Sequence, residues 1–250
     1  MTKDFTLIKY GELLNALDSC EQVILRHDVD RKPKNSLATA YIERELGWKA
    51  TYYFRAVPES WDESVILQIA SLGHEIGYHY ESLTTCQGNY EAAYEDFCRN
   101  LERLRTLVPV STISMHGSPR SKWDSRDLWK HYDYHSLGIE TEPYLDIDFS
   151  SVFYLTDTGR RWDGFRVSVR DKIPGFQEQW IKSGLVYHST DDIINAVKAG
   201  SFPKNVMINT HPQRWTDNRW EWLVELASQS VKNVAKRAIV KKKNVTLHPK

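Results

Sequence analysis

Short apolar runs alternating with helical stripes constrain what this chain can fold into more than any other feature. Val23–Leu25, Ala50–Phe54, Glu75–Tyr80 and Thr112–Met115 read as strands, and Val206–Asn209 as a buried strand late in the chain. Helical segments fall between them. The segment Asn35–Leu46 carries Ala38, Tyr41, Ile42 and Leu46 on one stripe, with Gly47 as the stop. A second has Val65, Ile66, Ile69 and Leu72 at helical spacing and ends at Gly73. A third runs from Tyr90, with Tyr94, Phe97, Leu101, Leu104 and Val108 on one face, until Pro109 breaks it. Strands alternating with helices imply right-handed β–α–β units and a largely parallel sheet, an α/β fold.

The second half is less regular. Its strand candidates are Val152–Leu155 and Phe165–Val169. An amphipathic helix over about 217–240 places Trp220, Leu223, Val224, Ala227, Val231 and Val234 on one stripe, and a basic stretch, Lys241–Lys243, follows it. With 250 residues and no linker, repeat or low-complexity block, the reading is one domain over 1–250.

Composition removes several function classes. Lys+Arg and Asp+Glu balance at 33 each, so no whole-chain field favours nucleic acid or an anionic membrane. No run approaches the roughly 20 apolar residues of a membrane span. Met1–Phe5 lacks the basic start and apolar run of a secretory signal, and Cys20, Cys86 and Cys98 lack CxxC spacing. The expectation is a cytoplasmic protein without a disulfide framework, a thiolate metal site or a nucleic-acid partner.

The polar residues able to do chemistry fall just after the apolar runs, where α/β sheets assemble their sites. In Leu25-Arg26-His27-Asp28-Val29-Asp30, an extended backbone sends Asp28 and Asp30 to one face and His27 to the other. Two carboxylates on one face repel unless a cation or a shared proton lies between them. They also suit helix capping, or salt bridges to Arg26 or Arg31. Arg55 follows the second run, His79 and Glu81 the third, His116 the fourth and His211 the last. His79 and Glu81 share a face and suit Zn²⁺ or a similar ion, with Glu81 serving as ligand or as the partner orienting an imidazole. His74 reads as a local backbone contact. In the polar loop Asp157–Asp163, Arg160 is a candidate for holding a catalytic carboxylate or a substrate carboxylate or phosphate, with surface arginines in an Asx turn as the alternative. Trp162 of that loop and Arg55 are the candidate substrate contacts. There is no Walker loop, GxGxxG or GxSxG.

These motifs resemble those of the polysaccharide deacetylase (NodB homology, carbohydrate esterase 4-like) superfamily. Leu25–Asp30 resembles its aspartate motif and Gly47–Phe54 its second strand. Gly73-His74-Glu75-Ile76-Gly77-Tyr78-His79 resembles its first metal-histidine segment, and Asn209-Thr210-His211 the strand bearing the catalytic histidine. The resemblance implies a distorted (β/α)7 barrel that removes N-acyl groups from amino sugars with one divalent metal ion, zinc first. It implies Asp28 as general base, His211 as general acid, and Asp30 and His79 as metal ligands.

Two departures stand out. Val29 separates aspartates that are usually adjacent in that superfamily. Leu83 occupies the place of its second metal histidine, and leucine cannot bind metal. His116 is the first choice for the third ligand and Glu81 the second. The expected substrate is a carbohydrate, an amino sugar linked to a nucleotide or lipid and processed during glycan synthesis. The alternatives are a catalytically silent, carbohydrate-binding barrel and a hydrolase of another non-peptide carbon–nitrogen bond.

Overall fold

The structure, a computed structural model, describes residues 3–118, 121–166 and 172–247, so most of the strand candidate Phe165–Val169 lies outside the described residues. The elements run α1 (Leu7–Leu17), β1 (Gln22–Val29), α2 (Pro33–Glu45), β2 (Thr51–Phe54), α3 (Glu63–Ser71), β3 (Glu75–Tyr80), α4 (Ser82–Thr85), α5 (Tyr90–Arg105) and β4 (Ile113–Met115). The second half holds α6 (Pro143–Asp146), β5 (Phe153–Thr156), α7 (Gln177–Lys182), α8 (Thr190–Lys198), β6 (Asn205–Thr210) and α9 (Arg219–Leu247). The α/β class read from the alternating pattern is the class observed. Among the described residues, no helix is long and apolar enough to cross a membrane.

By contacts the chain divides into two compact units interleaved in sequence. One comprises Met1–Ile24, Phe149–Thr210 and Arg214–Lys250, and the other Leu25–Asp148 and His211–Gln213. In the second unit, β4, β3, β2 and β1 lie side by side in that order, all parallel. Their register aligns Asp28 with Tyr53, Tyr53 with Gly77, and His79 with Ser114. Gly77 is required there, because a Cβ on it would lie 2.4 Å from the Tyr53 ring. The Tyr53 ring in turn lies 4.8 Å from the guanidinium carbon of Arg26.

Helices α3 and α5 bury the faces expected of them, with Val65, Ile66 and Ile69 inward on one and Phe97, Leu101 and Leu104 on the other. Asp62 and Asn89 cap their first turns through side-chain oxygens. Helix α2 departs from expectation. It buries Ser36, Thr39, Ala40 and Glu43, while Tyr41 and Leu46 of the apolar stripe are exposed.

The reason is a buried polar cluster on the far face of β1. Glu43 lies 2.7 Å from His27 Nε2 and accepts from the Tyr52 hydroxyl at 2.8 Å; Tyr52 also bonds Thr39. His74 joins them, with Nε2 on the Ala40 carbonyl at 3.0 Å and Nδ1 accepting from the Ala50 amide. His74 is thus a backbone contact, but one made across the fold. A helix presenting its polar side inward is stabilised here by the partners that Thr39, Glu43, His27, Tyr52 and His74 find in one another and in the backbone.

In the first unit, β5 and β6 pair in parallel, aligning Phe153 with Val206 and Thr156 with Asn209. Helices α1 and α8, neither read from the sequence, pack on each other; Lys9 reaches Asp191 at 2.8 Å, and Ser189 closes a capping box on α8. Helix α9 is the element expected over about 217–240, but its stripe faces outward: Trp220 is 74% and Val231 73% exposed. Lys241–Lys243, expected as a tail, lies within this helix.

Candidate metal centre

Alternation along β1 sends His27 to the α2 side and Asp28 to the opposite face, as the period of a strand requires. The strand ends at Val29, and a turn brings the Asp30 amide onto the Asp28 carbonyl at 3.0 Å. Asp30 therefore stands on the same side as Asp28. β3 delivers His79 beside them. The His116 amide donates to the Tyr80 carbonyl at 2.8 Å, which fixes the first residue after β4 next to the end of β3. His211 and Gln213 follow β6 and belong to this same unit.

Asp30, His79 and His116 each offer one ligand atom, and these atoms all lie within 4.8 Å of one another. Asp30 Oδ1 is 3.4 Å from His116 Nε2 and 3.7 Å from His79 Nε2. For ligands about 2.0–2.1 Å from a tetrahedral ion, neighbouring donors stand about 3.3 Å apart.

The other ring nitrogens are committed elsewhere. His79 Nδ1 donates to the Ser114 carbonyl at 2.9 Å, and His116 Nδ1 donates to Glu81 Oε2 at 3.0 Å. A carbonyl only accepts, so the neutral His79 ring presents a lone pair at Nε2. Asp30 Oδ1 is itself buried without a hydrogen-bond partner. An orphaned carboxylate oxygen facing two imidazole nitrogens is a set of acceptors lacking a donor, and a divalent cation fits it.

The electrostatics agree. Burial raises the Asp30 carboxyl, but His116, His211 and His79 together pull it down to about 2. Burial pushes His79 down to about 4 against the pull of Asp28, which keeps the ring neutral and able to ligate. Burial likewise opposes ionisation of Asp28, yet Arg26, His79 and His211 hold it well below the usual carboxylate range. Arg26 Nη2 reaches Asp28 Oδ1 at 2.6 Å and also donates to Ser114 Oγ at 2.6 Å. The salt bridge weighed from the sequence therefore exists, and it orients Asp28 within the site. His116 runs the other way: its bond to Glu81 and the nearby Asp30 raise it against burial, so an ion bound at Nε2 would have to displace a proton there.

Five of the residues singled out from the sequence thus meet here: Asp28, Asp30, His79, His116 and His211, the last with Nε2 3.9 Å from Asp30 Oδ2. Glu81 stands behind His116. Arg55, expected to contact substrate, instead grips Glu81 Oε1 through Nε at 2.9 Å and Nη2 at 2.6 Å.

Arg160 and Trp162 are placed differently, in the other unit. Arg160 has positive φ, donates to the Trp222 carbonyl at 3.1 Å, and stacks over the Trp222 and Phe5 rings. Trp162 is 2% exposed, and its indole N–H donates to Thr190 Oγ1. A ring so enclosed packs a core and offers no platform to a sugar. Sequence reasoning missed Gln213, which donates to Asp30 Oδ2 at 3.1 Å; its position two residues after His211 was the available signal.

No family model matches the chain, and no curated protein matches it. Solved structures resemble it at low identity. A CE4 esterase of Streptococcus mutans has a TM-score of 0.46 at 12% identity, over 90% of this chain and 85% of that one. The family 4 carbohydrate esterase PdaA of Bacillus subtilis has a TM-score of 0.41 at 11% identity, over 90% and 84%. The Xyl-CE4 domain of a multidomain xylanase from the hindgut metagenome of Trinervitermes trinervoides has a TM-score of 0.39 at 12% identity, over 90% and 84%.

Proposed function

We propose that this protein is a metal-dependent hydrolase that removes an N-acyl group from an amino sugar. The observation that carries the reading is the convergence of Asp30 Oδ1, unpartnered and buried, with the Nε2 atoms of His79 and His116 beside an ionised Asp28. Asp30, His79 and His116 would hold the ion; two nitrogens and one oxygen favour zinc. Bound there, it supplies Lewis-acid polarisation of an amide carbonyl and acidifies a water.

Asp28, kept ionised and aimed by Arg26, takes a proton from the attacking water. His211, beside Asp30, protonates the departing amine. Gln213 holds the second oxygen of Asp30, which leaves Oδ1 for the ion.

The test is metal content of the purified protein, then uptake by Asp30→Ala and His79→Ala. One equivalent in the unaltered protein and loss in both variants is the expected result. Sub-stoichiometric metal that neither substitution changes removes the proposal and leaves a carbohydrate-binding fold as the better account.

A further inference from the structure

We infer that Arg55 and Glu81 form a positioning pair that makes His116 the third metal ligand, in the place Leu83 leaves vacant; the inference rests on the metal reading above. Leu83 is turned into the core at 1% exposure, so α4 brings no donor to the centre. The third donor comes from the end of β4 instead. A side chain at the start of a loop has rotamer freedom that a ligand must lose. His116 loses it through Glu81.

Both oxygens of the Glu81 carboxylate are engaged. Oε1 accepts both Arg55 Nε and Nη2, and Oε2 accepts His116 Nδ1 at 3.0 Å. This arrangement assigns Glu81 as the partner of a ligand and not as a ligand. Its negative charge fixes the proton on Nδ1 and turns Nε2 toward Asp30. Arg55 adds a second link, because its Nη1 donates to the Asp30 carbonyl oxygen at 3.2 Å. One guanidinium therefore ties the backbone that carries Asp30 to the carboxylate that aims His116. Two of the three ligands are registered against each other through a single planar fork, a task that the point charge of lysine cannot perform.

The experiment is zinc affinity, read by competition with a chromophoric chelator, together with the visible spectrum of the cobalt(II)-loaded protein. Glu81→Gln keeps the shape and removes the charge. It is expected to weaken zinc binding about 10–100-fold and to alter the cobalt spectrum, with Glu81→Asp recovering part of the affinity. Arg55→Lys should weaken binding in the same range, and it serves as the reading if Glu81→Gln does not fold. The decisive comparison is a double-mutant cycle with His116→Ala: once His116 is gone, Glu81→Gln should cost no further affinity. Wild-type affinity in both Glu81→Gln and Arg55→Lys, with loss in His79→Ala, overturns the positioning pair alone. An undiminished Glu81→Gln effect in the His116→Ala background overturns it as well. No zinc binding by the unaltered protein overturns the metal reading itself.

Discussion

Two strand ends in this molecule carry a buried aspartate beside an arginine, and they are chemically opposite. After β5, Asp157 is completely sheltered; Oδ1 accepts Arg214 Nη1 at 2.6 Å and Oδ2 accepts Trp215 Nε1 at 2.8 Å. After β1, Arg26 takes Asp28 Oδ1, but neighbouring Asp30 keeps an oxygen that nothing satisfies, facing two imidazole nitrogens. The first arrangement is finished and holds a loop in place. The second is unfinished and asks for a cation. The difference between scaffold and site lies in the unfilled valence of the polar groups, since both are buried and both are charged.

The sharpest way to break this contrast is to remove each carboxylate. Asp30→Ala should cost on the order of 4 kcal/mol of zinc affinity, about a thousandfold, as one ligand of three is lost. It should change the stability of the metal-free protein only modestly, because losing an unsatisfied buried oxygen offsets the lost bond from Gln213 and the attraction of the neighbouring imidazoles. Equilibrium dialysis and chemical denaturation read the two quantities, and a metal-free protein strongly destabilised by Asp30→Ala would make Asp30 structural. Asp157→Ala should do the reverse. Stranding Arg214 should lower stability by about 3–5 kcal/mol and leave zinc affinity untouched.

Glu142 gives a third state of a buried carboxylate. Its oxygens accept the backbone amides of Met115 and Tyr144, and burial outweighs these bonds to raise its carboxyl to about 7. The folded value lies above the unfolded value of 4.5, so its stabilising contribution is complete below pH 4.5 and is lost as pH rises through 7. Metal-free protein should therefore lose up to about 1.4 kcal/mol per pH unit across that window. The loss should be absent from Glu142→Gln when denaturation is followed against pH. A slope equal in both proteins would return Glu142 to the ordinary range.

The smallest effect is expected at Arg160. Arg160→Met should leave zinc affinity within about twofold and lower stability by about 1 kcal/mol, through its stacking on Trp222 and Phe5. A large fall in zinc affinity would bring Arg160 back to the centre.

Much of the site was legible because strand alternation and strand ends are local properties. The order Arg26-His27-Asp28-Val29-Asp30 already separates His27 from the two aspartates, and the positions of His79, His116 and His211 follow from where apolar runs stop. Partnership was not legible. Nothing local reveals that Arg55 is spent on Glu81, that Gln213 reaches Asp30 across 183 residues, or that Arg214 completes Asp157.

The helices carry the same lesson. A sequence stripe tells which face is apolar, and that face is usually the buried one. Yet α2 turns Glu43 inward to His27, and α9 turns Trp220 outward. Propensity and periodicity register one helix at a time, while burial depends on what the neighbouring strand offers.

The interleaving of the two compact units has a consequence for how this protein can be handled as a gene. The division falls inside β1, between Ile24 and Leu25, and His211–Gln213 joins the unit whose remaining residues end at Asp148. No uninterrupted reading frame shorter than 28–213 encodes the proposed base Asp28 and all the proposed ligands together with His211 and Gln213. A deletion library or a split-reporter fusion cut near residue 148 would thus separate the proposed acid from the proposed base, even where both halves are made in full.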